Sequence, residues 1–370
     1  MTESPAPRCW VEISCDALRH NVSLAQKQAG TGVELLAIVK ANAYGHGMLG
    51  VARALAESVQ LFGVANLEEA LALRRDLAHP IIILGPALPE EIAPMVENGF
   101  IPSVSTLEEA ELFSQSGRGT SGGVKLNVKI DTGMGRMGML ENVAVPTLKA
   151  IATLSDVTVH SISTHLPVSN EDAAFTRGQL ARFSGLVQQL REVVPYPFKV
   201  HALQSAGLFA FDEETFDIVR AGMVLYGIPS LPELKIDLRP AMTWKTRVVL
   251  IRDVPAGHGI SYGRTFITPK PMRVATLSAG YADGYPRHLS GRDASVLIRG
   301  SRCALLGRVT MDLMVVDVTD VPEVKPGDEV VLMGRQGDNE VSCVELADRA
   351  GTITWEITTR IGSRVQRVYT

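Results

Sequence analysis

The sequence predicts an α/β protein, a (β/α)8 barrel of the TIM type followed by a mainly β C-terminal domain. Three observations predict it. Between about residues 34 and 225, eight short apolar runs alternate with amphipathic stretches. Strand, helix, strand repeated eight times is the rhythm of a closed parallel barrel. Near residue 235 that rhythm stops, and short alternating runs separated by turn residues take over. An open doubly wound sheet is the rival for the first half and needs fewer units. The expected division is 1–235 for the barrel and 236–370 for the β domain.

The elements follow in order. "CWVEIS" reads as a strand that precedes the barrel and joins the β domain. The barrel strands are "LLAIVK", "LFGVA", "PIIIL", "FIPSV", "KLNVKI", "VTVHSIST", "FKVHA" and "FDIVRAG". The helical stretches include "NLEEALALRRDLA", "STLEEAELFSQS" and "AAFTRGQLARFSGLVQQLREVV". Asn66 ahead of Glu69, and Ser105 or Thr106 ahead of Glu108 or Glu109, are N-terminal caps. The Pro-rich "PSLPELKIDLRP" works as a linker. The β domain then reads as "TWKTRVVLIRDV", "RVATLSAGYA", "ASVLIRG", "RCALLGRV", "MVVDVTDV" and "DEVVLMG", with "SCVELADRAG" as its last helical piece.

The bulk numbers exclude several function classes. A net charge of -4 with no long basic run argues against electrostatic binding to nucleic acid or an anionic membrane. No apolar stretch is long enough to span a bilayer, and the N-terminus lacks a signal pattern. The expected location is the cytoplasm. The four cysteines are scattered, as expected of free thiols in a reducing compartment. No histidine pair has the spacing of a metal site, so no metal is expected.

In a barrel, function gathers at the C-terminal ends of the strands. The residues just after each apolar run are therefore the candidates. They are Lys40, Tyr44 and His46; Lys129, Asp131 and Arg136; His165; His201, Gln204 and Ser205; and Arg220 with "AGM". A bland account exists for each one singly. Lys40 can snorkel at a strand end. Arg136 and Arg220 can pair with carboxylates such as Asp131 or Asp217. His165 and His201 can be hydrogen-bonded core histidines. Their joint placement at one mouth favours function. "GMGRMG" fits the dinucleotide fingerprint, but it follows the fifth strand and does not open a helix directly. The loops after strands seven and eight, with Ser205 and "AGM", make the better phosphate site. A lysine that can attach a carbonyl, a phosphate site and an arginine between them point to pyridoxal phosphate.

At this point the chain resembles the alanine racemase family over nearly its whole length. The resemblance rests on "AIVKANAYGHG", "KIDTGMGRMG", "STH", "VRAGMVLYG", "SYGRTF", "GYADGYPR" and "GRVTMDL", in the family's order and spacing. It implies a barrel, a β domain, a homodimer and interconversion of L- and D-alanine. It also implies residue roles. Lys40 would hold pyridoxal 5'-phosphate covalently and act as the base on the D face. Tyr262 of the partner subunit would be the base on the L face, hydrogen-bonded by His165. Arg220 would sit on the pyridine nitrogen. Because arginine only donates, that nitrogen would stay unprotonated and the ring a weaker electron sink. Arg136 would contact the ring oxygen and the substrate carboxylate. Lys129 looks like the lysine carbamylated in many members, bracing Arg136. Tyr44, Ser205, Gly222 and Met223 would hold the phosphate, Met311 the substrate carboxylate. Tyr281 and Arg287 would line the entrance.

The chain departs from the family pattern in places. "HALQSAG" carries Gln204 in place of asparagine, Trp355 stands where tyrosine is usual, and "STHLPVSNED" is atypical. These changes lie near the pocket. The first expectation is an alanine racemase supplying D-alanine for peptidoglycan. A racemase of serine or a broader set of small amino acids, and a non-catalytic pyridoxal-phosphate-binding protein, stand beside it.

Overall fold

The structure, a computed structural model, describes residues 6–211, 216–229, 231 and 235–370. The chain separates into two compact units, one of residues 17–43 and 48–239, the other of 1–16, 44–47 and 240–370. Part of the expected linker, at 230 and 232–234, lies outside the described residues.

The chain opens with β1 (Cys9–Ile13) and α1 (Cys15–Ala29). The eight strands of the first unit's sheet are then β2 (Glu34–Ile38), β3 (Leu61–Val64), β4 (Ile81–Ile83), β5 (Ile101–Val104), β6 (Val124–Asp131), β8 (Val157–Ser163), β9 (Lys199–His201) and β10 (Ile218–Ala221). A short strand, β7 (Met139–Leu140), pairs with β6 alone. The eight lie parallel in the order β10-β2-β3-β4-β5-β6-β8-β9. A parallel bridge between Gln204 and Arg220 brings the two ends of that order together. β3, β4 and β5 are buried at every position, as parallel strands covered by helices on one face and core on the other must be. All eight expected apolar runs form these strands.

The intervening helices are α2 (Met48–Leu55), α3 (Leu67–Arg74), α4 (Ile92–Glu97), α5 (Leu107–Ser116), α6 (Glu141–Ile151), α7 (Ala173–Val193) and α8 (Ser205–Ala210). Asn66 caps α3 by accepting from Glu69 N at 3.0 Å, and Thr106 caps α5 by accepting from Glu109 N at 3.1 Å. Each such cap is worth about 1 kcal/mol.

The second unit holds β11 (Met242–Val254), β12 (Gly259–Ile260), β13 (Phe266–Ile267), β14 (Met272–Leu277), β15 (Ser295–Ile298), β16 (Ser301–Leu306), β17 (Met314–Asp317), β18 (Glu329–Gln336), β19 (Asn339–Val341) and β20 (Gln366–Tyr369). Its main sheet runs β19-β18-β15-β16-β17-β14-β11-β1-β20, and β18 also pairs with β11, so the sheet curls back on itself. β1 pairs antiparallel with β11 and parallel with β20. α9 (Cys343–Ala350) is the expected helix "SCVELADRAG". It is not the last one. α10 (Thr354–Thr359) and β20 follow it. Gly351 at φ +70 ends α9 in a left-handed cap and lets the chain restart.

Candidate active site

Lys40 stands two residues past the end of β2. The backbone after it takes an unusual path. Ala41, Asn42, Ala43 and Tyr44 have φ of 51, 54, 54 and 53°. Each left-handed non-glycine residue costs roughly 1–2 kcal/mol, so the surroundings must hold this turn in place. Glu69 on α3 does much of that. Its carboxylate accepts from Ala41 N at 2.7 Å and from Ala65 N at 2.8 Å. Asn42 Oδ1 accepts from Met48 N at 2.9 Å. Tyr44 to Gly47 belong to the β unit. There Gly45 O accepts from Arg367 Nε and Nη2, both at 3.1 Å. A Cβ on Gly45 would lie 2.0 Å from Thr358 O, so only glycine fits.

Lys40 is half-buried. Burial lowers its pKa, and the positive charges of Arg136 and Arg220 lower it further against the opposing pull of Glu69. A neutral amine, the nucleophilic form, is therefore favoured. Lys129 on β6 is buried outright. Burial, then Arg220 and Arg136, push its pKa well below the ordinary range, with Asp131 opposing. Lys40, Lys129, Arg136 and Arg220 thus gather at one end of the barrel with Glu69 and Asp131 as their acidic neighbours. The excess is positive.

Asp131 is committed elsewhere. Its carboxylate accepts from the backbone N–H groups of Gly133, Met134 and Gly135 at 2.8–3.1 Å. Burial alone would raise this carboxyl, but those donors hold it below its ordinary value. The glycine-rich loop is thus an anchored turn presenting the exposed Arg136. Gly138 N donates to Ser105 Oγ at 3.0 Å, and further supports come from α7. Gln179 Nε2 donates to Thr132 Oγ1 at 2.7 Å and to His165 O at 3.0 Å, and Arg182 Nη2 donates to Thr132 O at 3.0 Å. One glutamine thereby ties the Arg136 loop to the His165 loop. No sequence signal marks Gln179, because a glutamine in an amphipathic helix reads as solvated surface. Glu69 gave a signal only as a cap.

Arg220 is buried and pairs with neither expected carboxylate. Its Nη1 donates to His201 Nδ1 at 2.9 Å and to His201 O at 3.1 Å. Its Nη2 donates to Ala202 O at 2.7 Å, Thr164 O at 2.9 Å and His165 Nδ1 at 3.1 Å. All these acceptors are neutral. Asp217 instead accepts from Val200 N at 2.8 Å and pairs with Arg191 at 3.8 Å. Among the described residues, Arg220 Nε–H donates to no acceptor. Since guanidinium only donates, His165 Nδ1 must accept, and its proton sits on Nε2. Burial, then Arg220, Lys129, Arg136 and Lys40, lower the His165 pKa to about 2. The ring is neutral and offers an N–H.

Ser205 opens α8. Its Oγ accepts from Gly222 N at 2.9 Å and Val224 N at 3.3 Å, leaving its own proton to donate. Gln204 caps this helix, accepting from Gly207 N at 2.9 Å while its Nε2 donates to Ser169 Oγ at 2.6 Å. The replacement of asparagine therefore keeps a cap. Gly222 N already serves Ser205, whereas Met223 N has no backbone or side-chain acceptor among the described residues. The donor set of Lys40, Arg136, Arg220 and Ser205, with excess positive charge, suits a ligand carrying a dianionic phosphate, an electrophilic carbonyl and a ring nitrogen that accepts. Pyridoxal phosphate has all three.

The remaining candidates lie in the β unit. Tyr262 is 73% exposed, a large value for an aromatic side chain. Its turn is strained, with Ser261 at φ 60° and Arg264 at φ 47°, and Ser261 Oγ holds it by donating to Arg308 O at 2.6 Å. Tyr281 and Met311 are neighbours. Tyr281 N donates to Thr310 O, and Ala282 N to Met311 O, both at 3.0 Å. A Cβ on Gly280 would lie 2.3 Å from Met311 O, so that close approach requires glycine. Arg287 is exposed at the start of a 3-10 turn, Arg287–Leu289, and Trp355 is on α10.

Comparison with known proteins identifies the family. The alanine racemase N-terminal domain family matches residues 13–230, and the alanine racemase C-terminal domain family matches 241–369. A curated alanine racemase of Symbiobacterium thermophilum is 41% identical over 97% of this chain and 96% of its own. One from Methylacidiphilum infernorum is 39% identical over 98% of this chain and 93% of its own. Among solved structures, alanine racemase of Clostridium difficile superposes with a TM-score of 0.94 at 31% identity, over 99% of this chain and 97% of that one. That of Bartonella henselae, with covalently bound pyridoxal phosphate, gives 0.89 at 28% identity, over 99% of this chain and 100% of that one.

Proposed function

The chain belongs to the alanine racemase family of pyridoxal-phosphate-dependent isomerases, and from that premise we propose that it interconverts L- and D-alanine with two opposed bases, Lys40 and Tyr262 of the partner subunit. The observation that carries this reading is the gathering of Lys40, Lys129, Arg136, His165 and Arg220 at the C-terminal ends of four barrel strands, β2, β6, β8 and β10. Bound pyridoxal phosphate supplies the electron sink that lets the α-proton of an amino acid leave.

The protein's residues do the rest. Lys40, its pKa lowered by burial and cationic neighbours, would hold the cofactor and accept the α-proton on the D face. Ser205 O–H, Met223 N–H and Tyr44 serve the phosphate. Gly222 N–H serves it through Ser205. Arg220 Nε–H serves the ring nitrogen and keeps it unprotonated, since guanidinium cannot accept a proton. Arg136 and the Met311 backbone hold the carboxylate. Lys129 is a buried lysine among cations, and both push its pKa down toward the neutral amine. That is the form that takes up carbon dioxide, and the resulting carbamate would be an anion beside Arg136.

A racemase needs one acceptor and one donor of protons on opposite faces. Tyr262 suits the L face because a phenol can take and return a proton, and cations and an N–H donor beside it stabilise the phenolate. His165 Nε2–H is such a donor. The exposure of Tyr262 and of Met311, 54% exposed, supports a homodimer in which both meet the partner. Tyr281, Arg287 and Trp355 would shape the entrance. Trp355, bulkier than tyrosine, favours testing serine beside alanine. D-alanine for peptidoglycan is the expected use, in the cytoplasm. No helix among the described residues is long and apolar enough to cross a membrane.

The test follows solvent deuterium entering the α-position of L-alanine, with serine alongside. Tyr262→Phe should leave cofactor absorbance intact and remove exchange from the L side. Unchanged exchange would remove Tyr262 from the mechanism.

A further inference from the structure

We propose that Asn127, in the barrel interior, is a positioning residue that fixes the tautomer of His201 and so supplies the acceptor on which Arg220 rests. The inference is a chain of donor and acceptor assignments. It begins at a backbone carbonyl, which can only accept. Ile83 O receives the hydroxyl proton of Ser103 at 2.7 Å. Ser103 Oγ, its one proton spent, must accept from its next partner, Asn127, at 2.8 Å. The group of Asn127 facing Ser103 is therefore the amide nitrogen, and the amide oxygen faces the other way. That oxygen receives Ser163 Oγ at 2.9 Å, Ser161 Oγ at 3.1 Å and His201 Nε2 at 3.1 Å. An amide oxygen only accepts, so Nε2 of His201 carries the proton. Nδ1 is left with its lone pair, 2.9 Å from Arg220 Nη1.

The strand register makes this layer. Ser103 on β5, Asn127 on β6 and Ser161 on β8 are direct neighbours across parallel pairs, and Ser163 pairs with His201 on β9. All five residues are buried, so no water competes for the assignments. In the opposite tautomer, Nδ1–H would face a guanidinium N–H, two donors with nothing to share. Arg220, which has no carboxylate partner among the described residues, would then shift or lose an acceptor in an environment where each lost hydrogen bond is costly. The groups facing His201 besides Asn127 are Arg220, Lys129 and, beyond Ser161, His160. The cations among them oppose a charged imidazole, consistent with a neutral ring of fixed tautomer. The functional consequence rests on the reading that Arg220 serves the ring nitrogen, and it is that Asn127 sets the aim of Arg220 Nε–H without touching the cofactor.

The test uses the full-length protein labelled with nitrogen-15 at histidine, with and without cofactor, and reads His201 by long-range proton–nitrogen NMR. The expected wild-type result is Nε2–H alone, unchanged across neutral pH. Asn127→Asp puts an anionic acceptor there, so His201 should gain a second proton, on Nδ1. Cofactor affinity, measured by titration of its near-visible absorbance, should fall about 10-fold, the loss of one buried hydrogen bond. Ser103→Ala, which disturbs the same layer but leaves three donors on the Asn127 oxygen, should keep the wild-type tautomer. A wild-type His201 protonated at Nδ1 overturns the proposal even if no variant folds. So does a folded Asn127→Asp in which His201 carries its proton on Nδ1 alone, because an acceptor at this position would then not set the tautomer. A changed tautomer with unchanged affinity and absorbance leaves the lock standing and removes Arg220 from the ring nitrogen.

Discussion

Lys40 is defined by what surrounds it. A lysine at the exit of a buried strand is ordinarily a cost, yet here burial and two arginines favour its neutral form while Glu69 steadies the backbone behind it. Lys40→Ala should abolish the near-visible band of the attached cofactor and lower turnover by at least about 10²–10⁴-fold, the worth of one positioned base plus a covalent anchor. Absorbance and exchange measured on one preparation check both. The location of Lys40 was legible in the sequence because "LLAIVK" is a continuous apolar run that stops at a charge. The neutrality of His165 was not. The pattern of charges in a sequence shows a histidine near arginines, but only the hydrogen bond from Arg220 to Nδ1 shows that the ring offers an N–H instead of a positive charge.

Among the elements, the left-handed turn after Lys40 is the least expected from sequence. Ala41, Asn42, Ala43 and Tyr44 carry no glycine to announce positive φ, and tertiary hydrogen bonds impose it. Strain relief of ~1–2 kcal/mol and the ~0.5–1 kcal/mol entropy of glycine oppose each other, so Ala43→Gly should leave stability within about 1 kcal/mol of wild type. Gly45→Ala should destabilise by about 3 kcal/mol, because its Cβ meets backbone that cannot move aside. Urea midpoints on the two variants check the contrast. The eight barrel strands were readable because two-sided burial writes them as apolar runs. α10 and β20 were not, because "TITWE" and "QRVY" mix polar and apolar residues without a clean period. The polar layer of Ser103, Asn127 and Ser161 was hidden inside strands whose other residues signalled only core.

For the whole molecule, neutral histidines that are buried or half-buried set the response to acid. Burial, first, and nearby cations hold His160 at about 4 and His165 at about 2, and His201 lies well below its ordinary value. The unfolded chain takes up these protons near pH ~6.5, whereas the folded chain does not. Stability is therefore intact above that pH and falls as pH drops below it, by up to about 1.4 kcal/mol per pH unit for each histidine. Urea unfolding between neutral and mildly acid pH should show that loss. A flat profile would mean that these rings protonate while folded.

The central claim joins two chains in one site, with Lys40 from one subunit and Tyr262 from its partner. It is tested most directly by mixing two variants that are each inactive in converting L-alanine, Lys40→Ala and Tyr262→Phe, and letting the subunits exchange. A mixed dimer then contains one site with both bases intact and one with neither. With random exchange in a symmetric dimer, activity should return to about a quarter of wild type. Mixed dimers that form and stay inactive would contradict the account and place both bases in the same chain.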